Sequence, residues 1–190
     1  MIYLLDDFSF PGSHGIINKS IISHWTCESV TMIQFDQSIR PNQLETYDSF
    51  KLEVSWSDVI VCPWIVSSNF GIDNFFEDLS MKSNVVVSAG NFGQDIINFS
   101  PARVMSAITV GCLNKLGNRA KFSNFSNHKE MVWVPGTNYL VDNKSYTGTS
   151  VSACIYSGIL AESIRLESSE YLEYTITKFK KTLLDKSTTD

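Results

Sequence analysis

The chain has 190 residues, 43% of them apolar and 18% charged, which is enough for one well-filled core and too few for two ordinary domains. Its formal charge of −5 offers no basic face for a phosphate backbone, and no run approaches the roughly 18 apolar residues that span a bilayer. Nucleic acid and membrane are therefore excluded as expected partners, and a single domain over residues 1–190, with 185–190 as a frayed tail, is the expected organisation.

The first element is a strand over residues 2–5. It follows Met1 directly, without the basic, apolar and small-residue succession of a secretory leader, so a cytoplasmic protein is expected. A helix over 15–24 comes next, then a strand over 30–35, a helix over 43–56 and a strand over 58–62. Beyond these the pattern gives a helix over 72–81, strands over 84–88, 107–110 and 131–134, and closing helices over 151–166 and 171–184. Lys178, Lys180 and Lys181 in the last helix are balanced by Glu167, Glu170 and Glu173 and read as a solvated face. Short, nearly all-apolar strands separated by helices are the mark of a parallel sheet covered on both faces. The expected class is α/β, three layers, with a mostly parallel doubly wound sheet.

Cys27, Cys62, Cys112 and Cys154 lie far apart, mostly in apolar runs, and read as buried free thiols rather than metal ligands or disulfides. His24 and His128 have no carboxylate or thiol partner at ligand spacing. No metal and no cofactor is expected. The four Asn-x-Ser triplets at Asn18, Asn98, Asn124 and Asn143 carry no weight without a leader.

In doubly wound sheets, ligands bind beyond the carboxyl ends of the strands. Asp6, Asp7, Pro63, Trp64, Ala89, Gly90 and Asn91 stand there. Tyr146-Thr147-Gly148-Thr149-Ser150 leads into a helix-length segment, so Ser150 meets a helix start, where amides lack intrahelical acceptors and a developing negative charge is favoured. Serine or threonine at such a place is also an ordinary cap. Ser88-Ala89-Gly90-Asn91-Phe92-Gly93 ends a buried strand in small residues around one amide. That amide can aim N–H groups at an oxyanion or simply form a turn. Leu5-Asp6-Asp7 precedes Ser13-His14-Gly15 by a short loop, so an acid and an imidazole can converge at one sheet edge.

Taken together, these pieces resemble the subtilase family of serine peptidases. Gly148-Thr149-Ser150 with Gly158, Ser88-Ala89-Gly90-Asn91 with Gly93, His14-Gly15 and Leu5-Asp6-Asp7 are similar to that family's nucleophile, oxyanion, histidine and acid motifs. The connecting runs Ser100-Pro101-Ala102, Ala107-Ile108-Thr109-Val110-Gly111, Ala120 to Ser126 and Val134-Pro135-Gly136 follow in the family's order. The resemblance implies a subtilisin-like fold and a serine endopeptidase, with Ser150 as nucleophile, His14 as base, Asp6 as its partner and Asn91 as oxyanion donor. Pro63, Trp64, Ile65, Ser88, Ala89 and Gly90 are implied to meet a protein or peptide substrate, Trp64 standing at the cleft.

Several features depart from the family pattern. Only Phe8 to Ser13 separate the acid and histidine motifs, the metal-binding loops of relatives have no counterpart, and Ile17 stands where a second histidine is usual. Cys154 and Ile155 replace common Pro and His. Pro63-Trp64-Ile65-Val66 replaces a Ser-x-Gly pattern whose backbone pairs with substrate; proline has no N–H to give, and bulky neighbours narrow a cleft. The expectation is processing of one intracellular precursor. The alternative is a non-catalytic scaffold of the same fold.

Overall fold

The computed structural model describes residues 1–9, 12–35 and 54–187, with side chains to residue 181. In chain order the strands are β1 (Ile2–Asp6), β2 (Val30–Gln34), β3 (Val59–Cys62), β4 (Val66–Ser67), β5 (Asn84–Ser88), β6 (Phe99–Ser100), β7 (Ile108–Leu113), β8 (Val132–Pro135), β9 (Tyr139–Val141) and β10 (Lys144–Tyr146). The helices are α1 (His14–Ser23), α2 (Phe70–Ser80), α3 (Thr149–Arg165) and α4 (Ser169–Ser187), with a short 3-10 turn over Ile96–Asn98. Six strands form one sheet in the order β2-β1-β3-β5-β7-β8, every pairing parallel.

Alternation of side chains along the strands makes this a three-layer α/β fold. Ile2, Leu4, Val59, Val61, Val86, Val110 and Val134 point to one face, where α1 and α3 supply Ile21, Ile22, Val151, Ile155 and Ile159. Leu5, Ile60, Cys62, Val85 and Val87 point to the other, against Ile72, Phe75, Phe76 and Leu79 of α2. Among the described residues, β9 with β10 and β4 with β6 form two further antiparallel pairs outside the main sheet. Cys62, Cys112 and Cys154 are buried free thiols as expected, whereas Cys27 is exposed.

The strand over 84–88 has its expected bounds, and the other expected elements among the described residues differ by at most three residues at an end. Of the helix expected over 43–56, residues 43–53 lie outside the described ones, and Val54 to Trp56 are not helical. At the C-terminus α4 runs on to Ser187, into the stretch expected to fray, while 188–190 are outside the described residues.

Two features set up a site at the carboxyl edge. The order reverses at β1, whose neighbours are β2 on one side and β3 on the other. Register then brings three strand ends to one level: Leu4 lies opposite Val61, and Cys62 opposite Val87, so Asp6, Pro63 and Ser88 align side by side.

α3 starts under this edge because two glycines let the chain come close. A Cβ at Gly136 would lie 2.1 Å from Ser152 Oγ, and the amide of Gly148 donates to the Gly136 carbonyl at 3.0 Å. Farther along α3, a Cβ at Gly158 would meet Trp25 Cβ at 2.6 Å and the Ile22 carbonyl at 2.8 Å. Gly158 is therefore the point where α1 and α3 touch.

Candidate active site

Asp6 is the last residue of β1 and is fully buried. A carboxylate without water is tolerated only when donors surround it, and three do. The amide of Asp7 reaches Oδ1 at 2.8 Å, the side-chain amide of Asn18 reaches Oδ2 at 2.9 Å, and His14 Nδ1 approaches the two oxygens at 3.0 and 2.9 Å. The short loop between acid and imidazole closes because Gly15 lets α1 begin against β1. Its amide donates to the Asp7 carbonyl at 3.0 Å, and a Cβ there would lie 2.6 Å from that oxygen.

Asp6 settles the tautomer of His14. A carboxylate only accepts, so Nδ1, facing both of its oxygens, must be the protonated nitrogen that donates to Asp6. The Asn18 Nδ2 sits 3.0 Å from Nδ1 and 3.3 Å from Nε2, which places it over the ring face rather than in line with either nitrogen. Nε2 is left with an available lone pair, on a side chain 46% exposed against 0% for Asp6.

In the sequence Asn18 stands out only as part of an Asn-x-Ser triplet. Its signal was its place four residues after His14, which on a helix puts the two on one face. Asp7, beside the acid, accepts from Ser9 and from Gln34 Nε2 at 3.1 Å, and these bonds hold its carboxyl below the usual carboxylate range.

A second cluster is built by β5 and α3. Asn91 Oδ1 accepts from both the amide and the hydroxyl of Thr149, at 2.9 and 3.0 Å, which fixes Nδ2 as the free, donating end. The Thr149 hydroxyl in turn accepts from the Gly90 amide at 3.0 Å. Thr149 is thus a buried clasp between the end of β5 and the start of α3, a role that its sequence reading as a helix cap did not contain. A Cβ on Gly148 would stand 3.3 Å from Asn91 Nδ2 and 3.4 Å from Ser150 Oγ. Glycine there keeps empty the space that amide and hydroxyl share. Ser150 is the second residue of α3, where a backbone amide has no acceptor in its own helix.

The two clusters face one cleft of about 400 Å³, lined by Asp7, His14, Pro63, Trp64, Ile65, Ser88, Gly90, Asn91, Phe92, Thr149 and Ser150. His14 and Ser150 share this lining, with no hydrogen bond between them. Asp6 lies beneath it.

One implied substrate contact, Ala89, is corrected, whereas Trp64 stands at the cleft as implied. Ala89 is fully buried and is absent from the lining. Trp64 borders the cleft, but its side chain is only 6% exposed: the ring stacks on Phe35 and its indole N–H donates to the Leu5 carbonyl at 2.9 Å. The alternation of β3 explains this, since Ile60, Cys62 and Trp64 continue one face of the sheet into the α2 layer.

With an acid-held imidazole, a helix-start serine and an oriented amide around one cleft, the comparison with known proteins is decisive at the level of family. The Subtilase family model matches residues 54–190. The chain belongs to the subtilase family. This subtilase chain is 38% identical over 102 residues to a putative subtilisin-like proteinase 2 of Encephalitozoon cuniculi, a match covering 52% of the chain and 18% of that protein. It is 34% identical over 97 residues to a subtilisin-like serine protease, Cur l 4.0101, of Cochliobolus lunatus, covering 47% and 19%. The matches therefore span about a fifth of the length of these relatives. A solved self-cleaved protease domain of PatA superposes with a TM-score of 0.63 at 19% identity, covering 90% of this chain and 84% of that one, which establishes a shared fold.

Proposed function

We propose that the chain is a serine endopeptidase in which Ser150 attacks the scissile carbonyl and His14 Nε2 takes its proton. Asp6 holds the tautomer with Nδ1–H and stabilises the imidazolium that forms. The tetrahedral oxyanion is met by Asn91 Nδ2 and the Ser150 amide. Collapse expels the amine with the proton from His14, leaving an acyl-Ser150 ester. Water, deprotonated by the same imidazole, then releases the acid.

The observation that carries this reading is the pairing of half-exposed His14 with buried Asp6 at 2.9 Å, opening on a cleft that Ser150 and Asn91 also line. On this reading the contact between Nε2 and Oγ forms when substrate occupies the cleft, since catalytic hydrogen bonds commonly tighten only in the complex.

The substrate is one intracellular precursor rather than protein at large, because Pro63 withdraws an N–H from the segment along which an extended peptide would pair. Incubating the protein with a peptide library and reading new termini by mass spectrometry tests the function. Cleavage is expected from wild type and none from Ser150→Ala. Cleavage that survives the substitution overturns the reading.

A further inference from the structure

We infer that Ile65 fills the pocket that would receive the side chain on the acyl side of the scissile bond, so that the enzyme cleaves after Gly, Ala or Ser and rejects larger residues. This rests on the proposed peptidase reading and specifies its substrate.

A carbonyl poised for attack must lie between Ser150 Oγ and Asn91 Nδ2, and the residue that carries it has its Cα just beside that point. The walls nearest on the Asn91 side are the two segments leaving the sheet side by side. These are Pro63 to Ile65 after β3 and Ser88 to Gly90 after β5, held at one level by the β3–β5 register. A side chain of a bound, extended peptide would enter the slot between them.

That slot is already occupied. Gly90 has φ +97, which favours glycine, and the side its missing Cβ would fill is taken by Ile65 Cδ1 at 2.1 Å and Cγ1 at 3.1 Å, with Asn124 Nδ2 at 2.6 Å. Ile65 therefore spans the slot from one wall and rests on the backbone of the other. Below, it packs against the buried group of Ala89, Ile96 and Ala102, together with Phe99 and Met131, so the depth of the slot is hydrocarbon as well.

Ile65 is poorly suited to swing aside. Its branched Cβ restricts χ1, and leaving the slot would bring apolar surface into water. Hydrogen bonds also hold the opposite wall, from the Gly90 amide to Thr149 and from Asn124 Nδ2 to the Ala89 carbonyl at 2.9 Å. The cleft of about 400 Å³ that remains is bordered by Ile65 itself, facing Ser150, His14, Asn91 and Phe92.

The test uses a peptide library randomised around the cleaved bond, with wild type, Ile65→Gly, Ile65→Ala and Ser150→Ala. A fluorophosphonate probe reports Ser150 reactivity independently. Wild type is expected to cleave after Gly, Ala or Ser at least about 100-fold better than after Leu or Phe, given what added methylenes cost in a closed pocket. The ratio of Leu to Ala cleavage is expected to rise about tenfold or more in Ile65→Gly and by less in Ile65→Ala.

Wild-type cleavage after Leu or Phe as readily as after Ala overturns the inference. So does an unchanged ratio in both Ile65 variants while the probe still labels Ser150. Either result leaves the peptidase reading intact. If Ser150 is neither labelled nor needed for cleavage, the peptidase reading fails and the inference fails with it. Ile65→Ala removes less of the core than Ile65→Gly, so a glycine variant that does not fold leaves the alanine ratio to decide.

Discussion

The two sides of the cleft are built in opposite ways. On the Asn91 side, three chain segments are cross-tied: Asn91 Oδ1 is engaged twice by Thr149, Thr149 by Gly90, and the Asn124 side chain bonds the amides of Phe92 and Gln94 as well as the Ala89 carbonyl. On the His14 side, a half-exposed imidazole depends on one buried carboxylate, which is itself steadied by the Asn18 side chain and the Asp7 backbone amide. An oxyanion site gains by being fixed before the reaction, because its donors then cost no reorganisation, whereas a base must move a proton and meet an incoming chain.

Breaking each side separately sharpens that contrast. The largest effects are expected at Ser150→Ala and His14→Ala, each lowering kcat by about 10⁶-fold on the proposed mechanism, with the double variant hardly worse because the two act as a unit. Clearly additive losses in steady-state kinetics would show that they do not. Asn91→Ala should cost about 10² to 10³-fold in kcat with little change in KM. Thr149→Val, which keeps volume but removes the hydroxyl that bonds Asn91 and accepts from Gly90, should cost about tenfold, again in kcat.

Asn18→Val comes next. With one donor to Asp6 gone, kcat/KM should fall about tenfold, carried by kcat rather than KM, a split that a purely structural loss would not produce. An unaltered kcat in Asn18→Val would remove Asn18 from the machinery.

The smallest effect lies far from both sides. Lys129 donates to the Val104 carbonyl, to the Ala107 carbonyl at 2.6 Å and to the Thr109 hydroxyl at 2.7 Å, and burial lowers its ammonium to about 8. Lys129→Met should lower thermal stability by about 1–3 kcal/mol through unpaired oxygens, with kcat unchanged. Because the folded protein loses this proton near pH 8 and the unfolded chain only near 10.5, the contribution of Lys129 to stability rises with pH across that window. The stability gap between wild type and Lys129→Met should therefore widen from pH 7.5 to 9.5 by about 1 kcal/mol or more, read from melting at both values. A constant gap would contradict the shift.

Much of the fold was legible because its strands are continuous apolar runs. Asn84–Ser88 appears with the bounds its sequence suggests, Val85 to Val87 facing the two helix layers in turn. The glycines at 136, 148 and 158 were visible as a pattern, while their reasons, close approaches of 2.1 to 3.4 Å, are tertiary. The β9–β10 hairpin went unread although Asp142 and Asn143, both at positive φ, form the kind of two-residue turn that such strands use. Trp64 lines the cleft as its position after a strand suggests, and counting by twos from Ile60 also accounts for the packing of its ring against the α2 layer. Thr149 and Asn18 were hidden for another reason: each bonds a side chain brought near by folding, and nothing in local sequence marks that partner.

The most direct test of the account is the mass of the Ser150 peptide after treatment with a fluorophosphonate. A single adduct on Ser150 is expected in wild type, much slower in His14→Ala and Asn91→Ala and absent in Ser150→Ala. Labelling at another residue, or a rate on Ser150 indifferent to His14, would contradict the claim that imidazole, amide and hydroxyl act together in this cleft.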